Sequence, residues 1–344
     1  MLQITLAEIR TVLHAFQIPE DAADFCELQR YDYPDHDPKR RDVRLIVKAV
    51  FRARPPVVLR FKSEPGISAQ SIEAQCRFAE MLRQGGIETP YQYTSGVRYA
   101  AAYSLHGYDV TVTAEDFCEG EVKAVDCRTA RMTGELLARM HDLSEQNGAQ
   151  LHLNTLFDPL SRNDLFDVSA FSENKEQLRK IAPELYDEIE ALAAERMQHA
   201  AVFRDASRFA VQGDISLCNL YETADGRLGV FDFNNSGDNV LYYDAVMQAV
   251  FEATLMDYAE ADTPEREQNI LAAFLSGYGS IRPFTEQQRE AFPHLYALLT
   301  AFASGRMRYH ADSLTALLGS GRTDEALVCM EMIRHDLMNL REMP

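Results

Sequence analysis

Gln212-Gly213-Asp214-Ile215-Ser216-Leu217-Cys218-Asn219, followed downstream by Phe231-Asp232-Phe233, sets one aspartate five residues before an asparagine and a second aspartate thirteen residues beyond it. Phosphoryl transfer from a metal-bound nucleotide needs these residue types. One carboxylate orients the attacking hydroxyl, while an amide and a second carboxylate hold the cation that neutralises phosphate charge. The intervening chain agrees. Leu220-Tyr221-Glu222 and Leu228-Gly229-Val230-Phe231 flank Thr223-Ala224-Asp225-Gly226-Arg227, and two short apolar runs around an Asp-Gly turn predict a β-hairpin. The hairpin would deliver Asn219 to the start of one strand and Asp232 to the end of its antiparallel neighbour, within reach of one ion.

Outward from this hairpin, the first part of the chain reads as strands. Residues 1–20 form an amphipathic helix with Ile9, Val12, Leu13 and Phe16 on one face. Strands are expected at 25–28, 43–51, 57–61, 91–95, 100–104 and 108–112. They are interrupted by a helix over 68–84, which Gly85-Gly86 stops. After Glu119-Gly120 the pattern turns helical: 127–143, then 173–199 with a break near Pro183, and further helices over 241–258, 264–278, 285–304 and 323–340. Strands first and helices later indicate an α+β chain rather than an alternating parallel sheet.

The 344 residues carry 53 acidic and 34 basic side chains, a formal charge of −19, with 46% hydrophobic and 25% charged residues. These are globular proportions. The negative charge disfavours nucleic acid and anionic membrane surfaces as partners, and is compatible with a cationic small molecule or simply with solubility. Six scattered cysteines without a C-x-x-C pair suit a reducing cytoplasm and neither a disulfide framework nor a zinc site. No signal peptide and no membrane-spanning run is expected, so the reading is a cytoplasmic protein.

The segment from Gln212 to Asp244, closing with Leu241-Tyr242-Tyr243-Asp244, resembles the signature of the aminoglycoside phosphotransferase and choline kinase superfamily, and the resemblance extends more weakly along most of the chain. It implies a two-lobed, protein-kinase-like fold. A nucleotide-phosphate-binding lobe would span 1–114, a hinge 115–120, and a helical lobe with catalytic loop and acceptor site 121–344. It implies ATP or another nucleoside triphosphate as donor, Mg2+, and a small-molecule hydroxyl acceptor, such as an amine-bearing alcohol or aminosugar. Asp214 is then the catalytic base, and Asn219 and Asp232 are the metal ligands. Two positions depart from the signature: Gln212 stands where the family has histidine, and Asn234 where glycine usually follows Asp-Phe.

The rest of the nucleotide site follows from the same resemblance. Arg60, in Val57-Val58-Leu59-Arg60-Phe61-Lys62, takes the place of the phosphate-binding cation, with Lys62 on the same strand face as the reserve. Glu73 is the expected helix carboxylate paired with that cation, with Gln75 nearly as close. The hinge runs from Val112 to Gly120, with Glu115 in it and Phe117 as a ring-packing residue for adenine. No G-x-G-x-x-G occurs between residues 25 and 50, so the hydrophilic loop from Tyr31 to Asp42, with Arg40 and Arg41, stands in for it. On the acceptor side Glu252, Asp257, Glu260 and Asp262 are candidate ammonium partners, joined by Tyr242, Tyr243, Phe251 and Tyr258 as cation–π rings. Asp238 is a further candidate acceptor contact, whereas Asp244 and His141 are read as structural. The missing glycine loop and the two departures leave a second reading open, a nucleotide-binding scaffold without acceptor turnover.

Overall fold

The computed structural model describes residues 1–32, 41–155, 158–160, 168–259 and 263–344. Arg40, Glu260 and Asp262, and most of the loop between Tyr31 and Asp42, lie outside them. The chain divides into two compact units. The first comprises Met1–Val122 and Asn219–Ser236, the second Lys123–Cys218 and Gly237–Pro344. The expected boundary at 114–120 therefore falls at Val122, and the hairpin segment groups with the strand-rich unit rather than with the helical one.

In the first unit, helix α1 (Leu6–Ala15) begins at Thr5, whose hydroxyl accepts from the Glu8 amide while the Glu8 carboxylate accepts from the Thr5 amide. Strands β1 (Asp24–Asp32), β2 (Val43–Val50), β3 (Val57–Ser63), β4 (Ala101–Leu105) and β5 (Tyr108–Asp116) form one antiparallel sheet in the order β1-β2-β3-β5-β4. Central β3 is covered on both faces. Leu59 and Phe61 share a core with Ile9 and Leu13 of α1 and with Phe16 just after it. Arg60 and Lys62 point the other way, as side chains alternate along a strand, towards helix α2 (Ala69–Gln84). The expected strand at 91–95 makes only isolated bridges, Gln92 with Glu115 and Ser95 with Arg98. Pro90 and Gly96, which bracket it, neither extend a ladder nor favour one. The hairpin forms as expected, β7 (Leu220–Glu222) pairing with β8 (Leu228–Val230).

In the second unit, α3 (Cys127–Gln146) starts at Asp126, whose carboxylate accepts from the Thr129 amide. After α4 (Val168–Glu173), the region 173–199 resolves into two helices, α5 (Lys175–Ile181) and α6 (Pro183–Ala200), with Pro183 opening the last. A two-stranded ribbon that the periodicity did not announce, β6 (Phe209–Val211) with β9 (Gly237–Asn239), brackets residues 212–236 in the sequence. Helices α7 (Leu241–Thr254), α8 (Pro264–Ile281), α9 (Glu286–Ala301), α10 (Leu314–Gly319) and α11 (Thr323–Met338) complete the unit, with a π-helical turn at Gly305–Tyr309. Helices α3 and α8 touch through glycines. A Cβ on Gly134 would lie 2.1 Å from the Phe274 carbonyl oxygen, and one on Gly277 2.1 Å from that of Arg131. Among the described residues no helix is long and apolar enough to cross a membrane.

Candidate active site

Asp214 lies in the second unit, in a turn held from two sides. Gly213, at φ +81°, makes the left-handed step that a side chain would resist. The fully buried Gln212 then accepts the Asp214 amide on its side-chain Oε1 at 2.7 Å. An amide oxygen thus fixes the backbone where the family signature has an imidazole. From below, the Ile215 amide donates to Gln248 Oε1 at 3.2 Å, and Gln248 Nε2 lies 3.4 Å from Asp244 Oδ1. Asp244 Oδ2 is 3.0 Å from His141 Nε2, and His141 Nδ1 is 2.9 Å from the Tyr278 hydroxyl. With the Tyr278 hydroxyl and the His141 Nε2–H as donors, these groups form one buried chain from α8 through α3 and α7 to the turn that carries Asp214. Asp244 and His141 are structural, as the sequence reading had them. Gln248 was missed, although it stands one helical turn from Asp244 on the same face.

The second centre is in the first unit. The Phe231 amide donates to the Asn219 carbonyl at 3.0 Å, so the hairpin sets Asn219 opposite Phe231 with Asp232 next in line. Asp232 adopts a left-handed conformation, φ 58° and ψ 80°, and its carboxylate accepts from the Asn234 amide at 3.2 Å. Arg60 forks between two carboxylates. Its Nε and Nη2 donate to Glu115 Oε1 at 2.9 and 2.7 Å, and its Nη1 to Asp232 Oδ2 at 3.1 Å. Burial alone would raise the Asp232 pKa, but the charges of Arg60 and Lys62 outweigh it and hold the group below the ordinary aspartate range. Lys62 donates to Asn234 Oδ1. Its own pKa is pushed down to about 8, by burial first and then by Arg60.

Several expectations are corrected here. Glu73 does not meet Arg60 or Lys62: it accepts from Arg77 at 2.7 Å and from the Tyr99 and Ala100 amides at 2.8 and 2.9 Å, tying α2 to the start of β4. The carboxylate on Arg60 comes instead from β5, because Glu115 lies within the strand, buried, and also accepts from Gln92 at 2.8 Å. Gln75 fills the place on α2, donating through Nε2 to the Asn234 carbonyl at 2.7 Å and the Ser236 carbonyl at 3.3 Å. Phe117 has Lys48 Nζ 3.5 Å from its ring centroid, and its amide donates to Pro56. Arg41 is committed to the His106 carbonyl at 3.0 Å and to the Tyr108 ring rather than to a phosphate loop.

The acidic acceptor face also changes. Glu252 is fully buried, with neither carboxylate oxygen hydrogen-bonded among the described residues, and burial raises its pKa to about 8. Nearby Thr133 offers little relief, since its hydroxyl donates to the Thr129 carbonyl at 2.9 Å. Asp257 is exposed. Tyr242, Tyr243 and Tyr258 donate their hydroxyls to the backbone carbonyls of Gln288, Ala200 and Glu252. Asp238 caps the loop at Leu151 and His152, accepting both amides at 2.8 and 2.7 Å. Tyr242 and Phe251 line separate cavities.

The model of a phosphotransferase enzyme family matches residues 40–284, well over half of the chain. An uncharacterised protein of Deinococcus radiodurans is 28% identical over 183 residues, covering 52% of this chain and 49% of its own length. The chain thus spans about half the length of the curated relative it matches. Among solved structures, a microcompartment-associated aminopropanol kinase superposes with a TM-score of 0.61 at 14% identity, covering 98% of this chain and 100% of that one. A spectinomycin phosphotransferase, in complex with ADP and spectinomycin, gives 0.53 at 12% identity with 98% of both chains covered. An amicoumacin kinase, in complex with AMP-PNP and Ca2+, gives 0.53 at 14% identity over 89% of this chain and 88% of that one. At these identities the superpositions show a shared α+β, kinase-like fold.

Proposed function

The chain belongs to the phosphotransferase enzyme family, and we propose that it is a small-molecule kinase using ATP and Mg2+ to phosphorylate the hydroxyl of an amine-bearing alcohol or aminosugar. The observation that carries this reading is the Asp232 carboxylate, kept ionised inside the first unit by Arg60 and Lys62 and set by the hairpin beside Asn219. A carboxylate and an amide oxygen are hard donors of the kind magnesium prefers, so these residues fit that ion. When bound, magnesium would neutralise charge on the nucleotide phosphates. Asp214 orients the acceptor hydroxyl and takes its proton on a carboxylate oxygen. Gln212, Gly213 and Gln248 fix the backbone that carries it. Arg60 keeps Asp232 in place, and Lys62 offers the ammonium for the phosphates.

Replacement of Asp214 by Asn tests the assignment. An ATP-consumption screen against hydroxylated amines, aminosugars and amino alcohols should show turnover that falls at least a hundredfold in the variant. Binding of Mg·ATP, followed by calorimetry, should remain. Undiminished turnover would sink the role of Asp214. Tight Mg·ATP binding without turnover across the panel would favour the scaffold reading, which draws its support from the engagement of Arg60 and Lys62 by Asp232 and Asn234.

A further inference from the structure

Within the second unit, α7, α8 and α9 enclose a cavity of about 320 Å3 that includes neither Asp214 nor any residue of its supporting chain. That volume is about ten times the share of one liquid water and lies at the lower end of the range for ligand pockets. Its walls are apolar, from Met247, Val250, Phe251 and Leu299. One end carries a different chemistry. Tyr296 donates its hydroxyl to Glu267 Oε1 at 2.7 Å, which aims that carboxylate. Arg341, beyond the end of α11, approaches the same pair from the chain terminus. Its Nη1 is 4.0 Å from Glu267 Oε1 and 3.4 Å from the Tyr296 oxygen, and its guanidinium carbon lies 5.7 Å from the Tyr296 ring centroid. Opposite, the π-helical turn presents Arg306, whose Nη1 donates to Asp336 at 2.6 Å and to the Ala301 carbonyl at 3.2 Å. π-Helical turns recur at functional sites.

The two ion pairs differ in a way that selects the ligand's charge. Arg306 and Asp336 are three-quarters buried and in direct contact, so an anion would have to displace a well-made bond. Arg341 and Glu267 are more exposed and 4.0 Å apart, a contact of the kind that contributes little. The easier exchange is a cation for Arg341, at a carboxylate and an aromatic ring that already hold one.

We propose that this cavity is a binding site for a small ammonium compound with an apolar body, and that Arg341 holds the cation's place when the site is empty of ligand. The amine pairs with Glu267 over the Tyr296 ring, and the body fills the space against α7. Nothing in this assignment rests on the phosphotransfer reading.

Calorimetric titration of the full chain with cyclohexylmethylammonium, cyclohexylmethanol and cyclohexanecarboxylate tests it. The ammonium should bind saturably and at least tenfold more tightly than the other two. Arg341→Ala should tighten ammonium binding severalfold, and Glu267→Gln, of unchanged volume, should weaken it at least tenfold. Unchanged melting temperatures would establish that both variants fold. Should Glu267→Gln lower the melting temperature, the Arg341→Ala result decides alone, since Arg341 is exposed and lies outside the helices. Equal affinity for the three probes, no binding to the parent and Arg341→Ala, or weaker binding to Arg341→Ala would each overturn the proposal.

Discussion

Arg60 and Glu252 are both buried charge-bearing residues, and their surroundings treat them in opposite ways. Arg60 is held between Glu115 and Asp232, and the two carboxylates raise its pKa further despite burial. Arg60→Met would remove the guanidinium that Glu115 and Asp232 share and leave Lys62 as the remaining cation, at a cost of about 3–5 kcal/mol, and should remove Mg·ATP binding with it. Urea denaturation and calorimetry read the two effects separately. Glu252 has no such partner, so its proton stays on in the folded chain up to about pH 8, against 4.5 for a free glutamate. A raised pKa of this kind lends stability that is complete below pH 4.5 and is lost as pH rises through about 8. The loss runs at about 1.4 kcal/mol per pH unit within that window. Glu252→Gln keeps the shape without the titration. It should therefore raise the urea midpoint at pH 8 by an amount worth a few kcal/mol, and change it little at pH 4.5. An increment that is the same at both pH values would refute the assignment. The hairpin that sets Asn219 opposite Phe231, with Asp232 next in line, was legible in the sequence from its two apolar runs and Asp-Gly turn. Glu252 was read as a candidate ammonium partner because a single glutamate carries no sign of which helix face it occupies.

At the scale of elements, the first unit couples helix α2 to the segment after the hairpin through Gln75 rather than through a carboxylate. The Gln75 amide nitrogen donates to two carbonyls, of Asn234 and Ser236, and an amide can do this where an ionised glutamate could not. Asn234 in turn receives Lys62 on its side chain, which gives the residue at the expected glycine position a defined partner. Gln75→Glu would set an acceptor against acceptors and should destabilise the chain by about 1–3 kcal/mol. Hydrogen exchange at residues 232–237 should speed up, and the apparent Kd for Mg·ATP should rise more than that for ATP alone. Equal effects on both would mean that Gln75 serves stability only. Helix α2 and strand β3 were readable from periodicity. Glu73 was misassigned because it sits near the helix start, where its nearest donors are the Tyr99 and Ala100 amides. The true partner, Glu115, lies on a neighbouring strand more than fifty residues away, and local pattern carries no record of strand order.

Across the whole molecule, the class of fold was legible because strands and helices are segregated along the chain, but the division into units was not. A contiguous first lobe ending at 114 seemed sufficient, whereas Asn219–Ser236 groups with Met1–Val122. The reason lies in charge as well as packing. Residues 1–122 bury Arg60 and Lys62 against the helix-facing side of the sheet, and Asp232 and Asn234 supply partners to both. The Val230 amide also donates to the Glu88 carbonyl, the Glu222 amide to the Gly120 carbonyl, and the Phe233 ring packs edge-on against Phe78. A fragment ending at Val122 would lose all of these at once and retain two buried cations with Glu115 as their main counter-charge. We expect that fragment to give poorly dispersed amide NMR spectra and a broad thermal transition. A single chain joining 1–122 to 219–236 through a flexible linker should recover dispersion and cooperativity, and Asp232→Asn in the joined chain should reverse part of that gain. If residues 1–122 alone fold cooperatively with a stability equal to that of the joined chain, the hairpin segment is not needed to neutralise that face of the sheet.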